Sequence, residues 1–241
     1  MDPILEIRHL SKAFGGIKAV NDVSFCLGKG ELLGLIGPNG SGKSTCVNLI
    51  SGAYIPDSGQ VLFCGKDIQG SNICQRARMG IGRTFQTPKP FNGLTVYDSV
   101  YTVALQSCAY KEAADKTEEI LEMMELADLS RMFCEKLPIE KRKWLDMARI
   151  LANDPKVIML DEVMAGLNPA EMEESIRLVR KLNESGISII FIEHVMKAVI
   201  KLSHRLVVLN EGKLLCGGDP EEVMRNESVI KAYLGGGRHR A

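Results

Sequence analysis

The chain has 241 residues, long enough for one α/β domain with a modest inserted subdomain. Hydrophobic residues make up 45% of it and charged residues 25%, close to the averages of folded globular proteins, so disorder is not expected. The formal net charge is zero, which excludes a general electrostatic attraction to nucleic acid.

No part of the sequence has the length and hydrophobicity of a membrane span. The best candidate, residues 187–192, is bounded by Gly186 and Glu193 and is only as long as a strand, whereas a spanning helix needs about 20 apolar residues. Met1-Asp2-Pro3 lacks the basic and apolar regions of a secretory signal. We therefore expect no direct membrane span, and any membrane component has to come from another chain.

The seven cysteines are scattered and form no Cys-x-x-Cys pair, so a zinc site is not expected. An odd, dispersed set is typical of unpaired thiols in a reducing compartment. We therefore expect a cytoplasmic protein.

Short apolar or β-branched runs alternate with amphipathic stretches, which is the pattern of a parallel sheet flanked by helices. Gly28-Lys29-Gly30 and Asn210-Glu211-Gly212 have the composition of tight turns and predict antiparallel pairing of the strands that they join. The predicted strands are residues 4–8, 23–27, 31–36, 60–63, 81–85, 157–160, 188–192, 205–209 and 213–216.

The character of the sequence changes between Thr87 and Asn153, where apolar positions recur three and four apart. Helices are predicted at 95–106, 111–126 and 140–152. Proline-containing segments at 88–90 and 153–155 indicate the entrance and the exit of this block. We therefore predict an α/β core built from residues 1–86 and 154–241, with residues 87–153 inserted as a helical subdomain.

A glycine-rich segment lies between the apolar residues 32–36 and a helical stretch at 44–51. It matches Gly-x-x-x-x-Gly-Lys-Ser/Thr, whose glycines allow consecutive backbone N–H groups to point at a phosphate beside a helix amino terminus. Lys43 is expected to bridge the β- and γ-phosphates, and the Ser44 hydroxyl to bind Mg²⁺. The predicted nucleotide-binding residues here are Gly37, Pro38, Asn39, Gly40, Ser41, Gly42, Lys43, Ser44 and Thr45.

Two acidic residues, Asp161 and Glu162, directly follow the apolar residues 157–160. At the carboxyl end of a strand in an α/β sheet, both side chains are expected to face the ligand crevice. Asp161 suits the outer sphere of Mg²⁺, where a carboxylate positions a coordinated water, and Glu162 suits polarising the water that attacks the γ-phosphate. An acidic pair at a strand end is by itself more often solvated surface, and the phosphate loop is what favours the catalytic interpretation.

Further positions stand in the order found in the ATP-binding subunits of ABC transporters, which the chain resembles over nearly its whole length. Gln86 falls at that family's Q-loop, where the side chain reaches Mg²⁺. His194 matches the switch histidine that contacts the γ-phosphate, and Phe14 lies where an aromatic ring stacks on adenine. The resemblance implies ATP and Mg²⁺ as ligands. It implies Glu162, His194 and Gln86 as catalytic residues, and Ser44, Gln86 and Asp161 as metal ligands.

The fold implied by this resemblance is a P-loop NTPase (RecA-like) α/β core with an antiparallel β subdomain and an inserted helical subdomain. Within the family, the chain most resembles the ATP-binding subunits of branched-chain amino acid importers. The likeness rests on Arg83-Thr84-Phe85-Gln86, on Ala165-Gly166-Leu167-Asn168-Pro169 and on Tyr233-Leu234-Gly235. Importers of urea and other small amides share much of this pattern, so the solute stays open.

The family implies two such subunits that close head to tail around two ATP molecules, each held between the phosphate loop of one subunit and the signature loop of the other. Membrane permease subunits are expected to dock near residues 87–94, which follow the Q-loop directly. The chain is accordingly expected to be cytoplasmic and peripheral, on the inner face of the cell membrane, with no nucleic acid partner.

The signature loop departs from the family pattern. Where the family has Leu-Ser-Gly-Gly-Gln, this chain has Leu137-Pro138-Ile139-Glu140-Lys141, without the serine and both glycines that meet the γ-phosphate of the opposite subunit. At ~6 Å and an effective dielectric of ~20, each pair of unit charges between Glu140 and that phosphate costs about 3 kcal/mol. The basic residues at 141–143 are the available compensation. Pro138 and Glu140 also favour a first helical turn, so we expect the helix to form with an amino terminus unsuited to phosphate.

We therefore predict a heterodimer in which this chain's own ATP site is closed by a partner with an intact signature. Its own degenerate signature would serve the partner's ATP poorly. The alternatives are a regulatory nucleotide-binding subunit with low turnover, an ABC ATPase for another substrate or for export, a non-transport ABC ATPase, and another P-loop enzyme. The last would include GTPases and kinases, and the Asn-Lys-x-Asp motif of GTPases is absent.

Overall fold

The computed structural model describes residues 3–85 and 89–235. The strands are β1 (Pro3–Phe14), β2 (Ile17–Gly28), β3 (Leu32–Ile36), β4 (Ser58–Phe63), β5 (Lys66–Asp67), β6 (Ile81–Arg83), β7 (Val157–Asp161), β8 (Ser188–Ile192), β9 (Arg205–Asn210) and β10 (Lys213–Gly218). The helices are α1 (Lys43–Ser51), α2 (Ile73–Met79), α3 (Val96–Ala104), α4 (Tyr110–Met123), α5 (Ile139–Leu151), α6 (Pro169–Glu184), α7 (Met196–Leu202), α8 (Pro220–Arg225) and α9 (Glu227–Gly235), with 3₁₀ turns at Ala127–Leu129 and Cys134–Lys136.

The larger sheet has six strands in the order β10-β9-β3-β8-β7-β6, and it is parallel except for β10. Every residue of β3, β7 and β8 is buried, as expected of strands that are covered on both faces and read as continuous apolar runs. The predicted turn at Asn210-Glu211-Gly212 is confirmed, since it joins β9 to its antiparallel neighbour β10.

The smaller sheet is antiparallel, in the order β2-β1-β4-β5. Its long β1–β2 hairpin turns at Gly15 and Gly16, whose φ angles of 53° and 87° suit a tight hairpin turn. The prediction that Gly28-Lys29-Gly30 joins paired strands is wrong, because β2 and β3 belong to different sheets. A turn composition specifies that the chain changes direction, and the partner of each strand is decided by the packing of the two layers.

The six-stranded sheet separates two apolar clusters. Leu32 and Ile36 of β3 belong to the cluster that contains the helical segment around Trp144, whereas Leu33 and Leu35 belong to the cluster shared with α1 and the smaller sheet. Successive side chains of a strand point to opposite faces, so β3 contributes side chains to both clusters. The loop after β3 therefore emerges between two packed layers.

The three helices predicted between residues 95 and 152 are present as α3, α4 and α5. Thr95 is the N-cap of α3 and forms a capping box with Asp98. Pro138 is the N-cap of α5, with φ −54° and ψ 154°, and not a residue of its first turn as predicted. Among the described residues, no helix is both long and apolar enough to cross a membrane.

Candidate nucleotide-binding and hydrolysis site

The phosphate loop joins the end of β3 to the start of α1. Gly37 and Gly42 have φ angles of 151° and 103°. A Cβ atom at these positions would lie 2.1 Å from the Leu209 carbonyl oxygen and 2.3 Å from the Ala19 carbonyl oxygen, respectively. Glycine is therefore required by close approach as well as by conformation, and the loop rests against the backbones of β9 and β2.

Lys43 is buried, and its Nζ donates hydrogen bonds to the carbonyl oxygens of Gly37 at 2.7 Å and Pro38 at 3.1 Å. Burial lowers the pKa of Lys43, while the nearby carboxylates of Glu162 and Asp161 raise it. The fold thus brings the loop lysine within electrostatic reach of the acidic pair predicted from sequence.

The other predicted residues of the loop differ in exposure. Asn39, Gly40 and Ser44 are exposed, and Thr45 is half-buried. Ser44 lies in the first turn of α1, at the helix end where the dipole favours anions. The Ser41 hydroxyl is buried and has no hydrogen-bond partner among the residues that the structure describes.

Asp161, the last residue of β7, is only 6% exposed. Its backbone N–H donates to the Thr84 hydroxyl at 3.0 Å, and its Oδ2 accepts from Arg83 Nη2 at 3.1 Å. In the sequence, Arg83 and Thr84 stand out only as part of the Q-loop motif, and these contacts were not predicted. They exist because β6 runs parallel to β7, with Arg83 opposite Met159.

Glu162 directly follows β7 with a φ of 52°, which is uncommon for a residue other than glycine. Its backbone N–H donates to the Ile192 carbonyl at 2.9 Å, so the turn is fastened to the end of β8. Its Oε1 lies 3.0 Å from His194 Nε2. Two residues predicted separately as catalytic are therefore in direct contact.

Glu193, beside the predicted histidine, is buried, and its Oε1 accepts from the Met164 backbone N–H at 2.6 Å. Burial raises its pKa to about 7, against the opposing effect of that hydrogen bond. No role was predicted for Glu193 from the sequence, and the available signal is a charged residue directly after the buried strand β8, which is apolar apart from Ser188.

Phe14 ends β1 and is 43% exposed. Its ring makes an edge-to-face contact with Tyr54, with centroids 5.3 Å apart, and Lys12 Nζ lies 5.7 Å from its centroid. The hairpin that carries Phe14 continues to Ala19, against which Gly42 packs. The predicted adenine-stacking residue therefore lies on an element that contacts the phosphate loop.

Gln86, predicted as a catalytic residue and metal ligand, lies outside the described residues. Within the described ranges, no group of three or more His, Cys, Asp or Glu side chains could hold a metal ion. The Ser44 hydroxyl and the Asp161 carboxylate are the hard oxygen donors that Mg²⁺ prefers, and they fit a cation that takes its other ligands from phosphates and water.

The signature loop precedes α5, and Glu140 lies in the first turn of that helix. The pKa of Glu140 is raised by burial first, and then by a hydrogen bond with Glu171 and the charge of that residue. Lys141 Nζ lies 3.3 Å from the centroid of the Trp144 ring, and Arg142 donates to the carbonyl of Leu137 at 2.8 Å. Two of the basic side chains considered as compensation for Glu140 are thus engaged within the chain.

The carboxyl-terminal helix α9 also reaches the phosphate loop. Burial raises the pKa of Tyr233, and a hydrogen bond with the backbone of Gly37 acts in the opposite direction. The sequence offered Tyr233 only as part of a resemblance to importers, and its position at the first glycine of the loop follows from the packing of α9.

Comparison with known proteins identifies the family. The ABC transporter family pattern matches residues 20–165, and that of the branched-chain amino acid ATP-binding cassette transporters matches residues 213–239. The chain belongs to the ABC transporter family. It is an ATP-binding and ATP-hydrolysing subunit, and the predicted P-loop NTPase α/β fold is confirmed.

The chain is similar along its length to several members of the family. It is 36% identical to the high-affinity branched-chain amino acid transport ATP-binding protein LivG of Escherichia coli, covering 97% of this chain and 98% of LivG. It is 31% identical to the lipopolysaccharide export system ATP-binding protein LptB of the same organism, covering 96% and 97%. Its fold also matches the crystal structure of an ATP-binding cassette of an ABC transporter in the ADP conformation. The two chains are 30% identical in sequence, with a TM-score of 0.87 over 98% of this chain and 100% of that one.

Proposed function

We propose that this chain drives the uptake of branched-chain amino acids, or of a related small amino acid or amide, as a peripheral subunit on the cytoplasmic face of the membrane. The observation that carries the hydrolytic role is the 3.0 Å contact between Glu162 Oε1 and His194 Nε2, beside the phosphate loop that holds Lys43. The likeness to LivG over 97% of the chain supports the solute class.

The predicted residues of the nucleotide site have the following roles in this proposal. Lys43 turns from the loop carbonyls to the β- and γ-phosphates when ATP enters, and Glu162 polarises the attacking water while His194 holds it in place and contacts the γ-phosphate. Ser44 and Asp161, together with Gln86, would hold Mg²⁺, which when bound would neutralise charge on the phosphates. Phe14 stacks on adenine. The phosphate-loop residues 37–45 supply the remaining nucleotide contacts.

The test of this function is transport by the assembled complex. The chain is reconstituted with its permease and binding subunits in liposomes, and uptake of labelled leucine, urea and an unrelated sugar is measured with ATP supplied on the cytoplasmic side. We expect ATP-dependent leucine or amide uptake that Glu162→Gln reduces at least a hundredfold. ATPase activity that is unchanged in Glu162→Gln would instead favour a regulatory subunit whose partner hydrolyses the ATP.

Export is the second candidate, because the chain is 31% identical to an ATP-binding protein of a lipopolysaccharide export system. The same liposomes distinguish the two directions. Release of a preloaded solute or lipid to the outside, without any uptake, would replace import by export and leave the ATPase role unchanged.

The permease is proposed to dock in a groove of about 540 Å³ at the junction of the core with the proposed helical subdomain, residues 87–153. Phe85 and Phe91 line this groove and are 52% and 38% exposed. Arg149, another lining residue, places its guanidinium carbon 3.6 Å from the centroid of the Phe91 ring and donates to the Lys89 carbonyl at 3.0 Å. An apolar groove with exposed aromatic rings and basic side chains in its lining suits an amphipathic helix of the permease.

We further propose that the functional dimer is asymmetric. Glu140 lies at the amino terminus of α5 beside Glu171, so this end of the helix presents carboxylates to the partner's γ-phosphate. The purified chain alone is expected to hydrolyse ATP slowly and without cooperativity, and a partner with an intact signature should accelerate it. Brisk cooperative turnover of the chain alone, unchanged by Glu140→Gly, would contradict the heterodimer.

A further inference from the structure

The Arg83 side chain is 11% exposed and connects two elements of the nucleotide site. Its Nη2 donates to Asp161 Oδ2 at 3.1 Å, at the end of β7. Its Nη1 donates to the Asn48 side chain on α1 and lies 3.5 Å from Ser51 Oγ on the same helix. One guanidinium therefore ties the helix that starts at the phosphate loop to the carboxylate predicted as a metal ligand.

The same guanidinium also contacts the start of the Q-loop. Its carbon lies 5.5 Å from the centroid of the Phe85 ring, and Phe85 directly precedes residues 86–88. The Arg83 Nε is buried without a hydrogen-bond partner among the described residues. The side chain is thus held by a ring on one side and by polar contacts at its tip, so it has little freedom to leave Asp161.

The contact between Arg83 and Asp161 matters because the Asp161 carboxylate is both charged and buried. Its side chain is 8% exposed, and a carboxylate buried to that degree needs a charged or hydrogen-bonding partner. Arg83 supplies the charge, and the same positive charge repels a divalent cation that approaches the carboxylate. A divalent cation can replace Arg83 at the Asp161 carboxylate only if phosphates contribute further negative charge and oxygen ligands.

We infer that Arg83 is a positioning residue that keeps Asp161 as its counterion and prevents a divalent cation from occupying that carboxylate until a nucleotide is bound. The inference rests on the proposed function, which assigns Asp161 to the Mg²⁺ site. A purely structural role is the competing explanation, since any buried ion pair between β6 and β7 would also stabilise the fold. The two differ in what happens to cation binding when no nucleotide is present.

The experiment titrates the purified, nucleotide-free chain with Mn²⁺ and follows free Mn²⁺ by electron paramagnetic resonance. Arg83→Gln is expected to bind Mn²⁺ at least tenfold more tightly than the wild type, and Arg83→Lys, which keeps the charge, within threefold of it. Adding Asp161→Asn to Arg83→Gln should remove the gain. Thermal unfolding checks that each variant is folded. If Arg83→Gln is not folded, the test is repeated with Arg83→Met, whose flexible apolar chain fills similar space beside Phe85.

The matched control is Arg205→Gln. Arg205 Nε also pairs with a carboxylate, Glu31 Oε1, at 2.9 Å. Arg205 begins β9, so it lies where the parallel strands start, whereas Asp161 lies where β7 ends. Its removal should leave Mn²⁺ affinity unchanged.

Mn²⁺ affinities of Arg83→Gln and Arg83→Met within twofold of the wild type would overturn the inference, and so would a gain that survives Asp161→Asn. These measurements contain no nucleotide and no transport step. A complex that fails to transport any amino acid or amide, with the Mn²⁺ result as expected, would count against the proposed function alone.

Discussion

Lys143 Nζ donates a hydrogen bond to the backbone carbonyl of Ala165 at 2.5 Å. Lys143 lies on α5, the helix that follows the signature loop, whereas Ala165 lies in the loop between Glu162 and α6. Burial lowers the pKa of Lys143, and the charges of Glu193 and Glu162 oppose that effect. A buried cation therefore joins the signature helix to the loop that carries the predicted catalytic glutamate.

Lys143→Met is expected to lower the ATPase rate of the assembled complex about tenfold with little change in ATP affinity, because it releases the loop after Glu162 without touching the phosphate loop. Lys143→Arg keeps the charge and should retain most of the activity. Steady-state kinetics separate kcat from KM, and a change confined to KM would contradict this role.

Glu193→Gln should change how stability depends on pH. The pKa of Glu193 is raised to about 7 in the folded chain, above the ordinary value of about 4.3 for an unfolded glutamate. The folded state therefore holds this proton more tightly, and the resulting stability is complete below about pH 4.3 and is lost as the pH rises to about 7.

The glutamine variant has no side chain that loses this proton as the pH rises, so it does not lose this stability. Its side-chain oxygen can still accept the hydrogen bond from the Met164 N–H. Relative to the wild type, it should gain up to about 3 kcal/mol in free energy of unfolding between pH 4 and pH 8. Urea unfolding at both pH values measures the difference. A difference between the two proteins that does not vary with pH would contradict the raised pKa.

Gly42→Ala is expected to abolish ATP binding. The new Cβ would lie 2.3 Å from the Ala19 carbonyl oxygen, at a φ of 103°, so the loop has to move away from β2. Gly186→Ala is the matched control, because Gly186 has a φ of 96° with no atom within 4 Å of the added Cβ. That control should cost only about 1–2 kcal/mol of stability and leave the affinity for a fluorescent ATP analogue unchanged.

Phe14→Ala should weaken ATP binding by about 1–3 kcal/mol, the range of a lost base–aromatic stack, whereas Phe14→Tyr should bind ATP nearly as the wild type does. Inorganic triphosphate, which has no base, provides the second readout, since its affinity should be the same in all three proteins. Equal loss of ATP and triphosphate affinity in Phe14→Ala would indicate damage to the phosphate loop and not a lost stack.

Much of the fold was predictable because its signals are local. The wholly buried strands β7 and β8 read as mainly apolar runs, and α3 begins directly after the capping residue Thr95, so both kinds of element were placed within a few residues. The pairing of β2 was not predictable, since Gly28-Lys29-Gly30 specifies a turn but does not specify which sheet receives each strand.

The sequence by itself predicted the chemistry of the site. A phosphate loop around Lys43 and the acids Asp161 and Glu162 were placed by motifs of a few neighbouring residues, and His194 by the resemblance to the family. Only the tertiary structure decided how these groups are held. The contacts of Arg83 with Asp161, of Glu162 with His194 and of Lys143 with Ala165 join residues 22 to 78 positions apart. Such contacts arise from the register of parallel strands and the packing of α5, which no local spacing encodes.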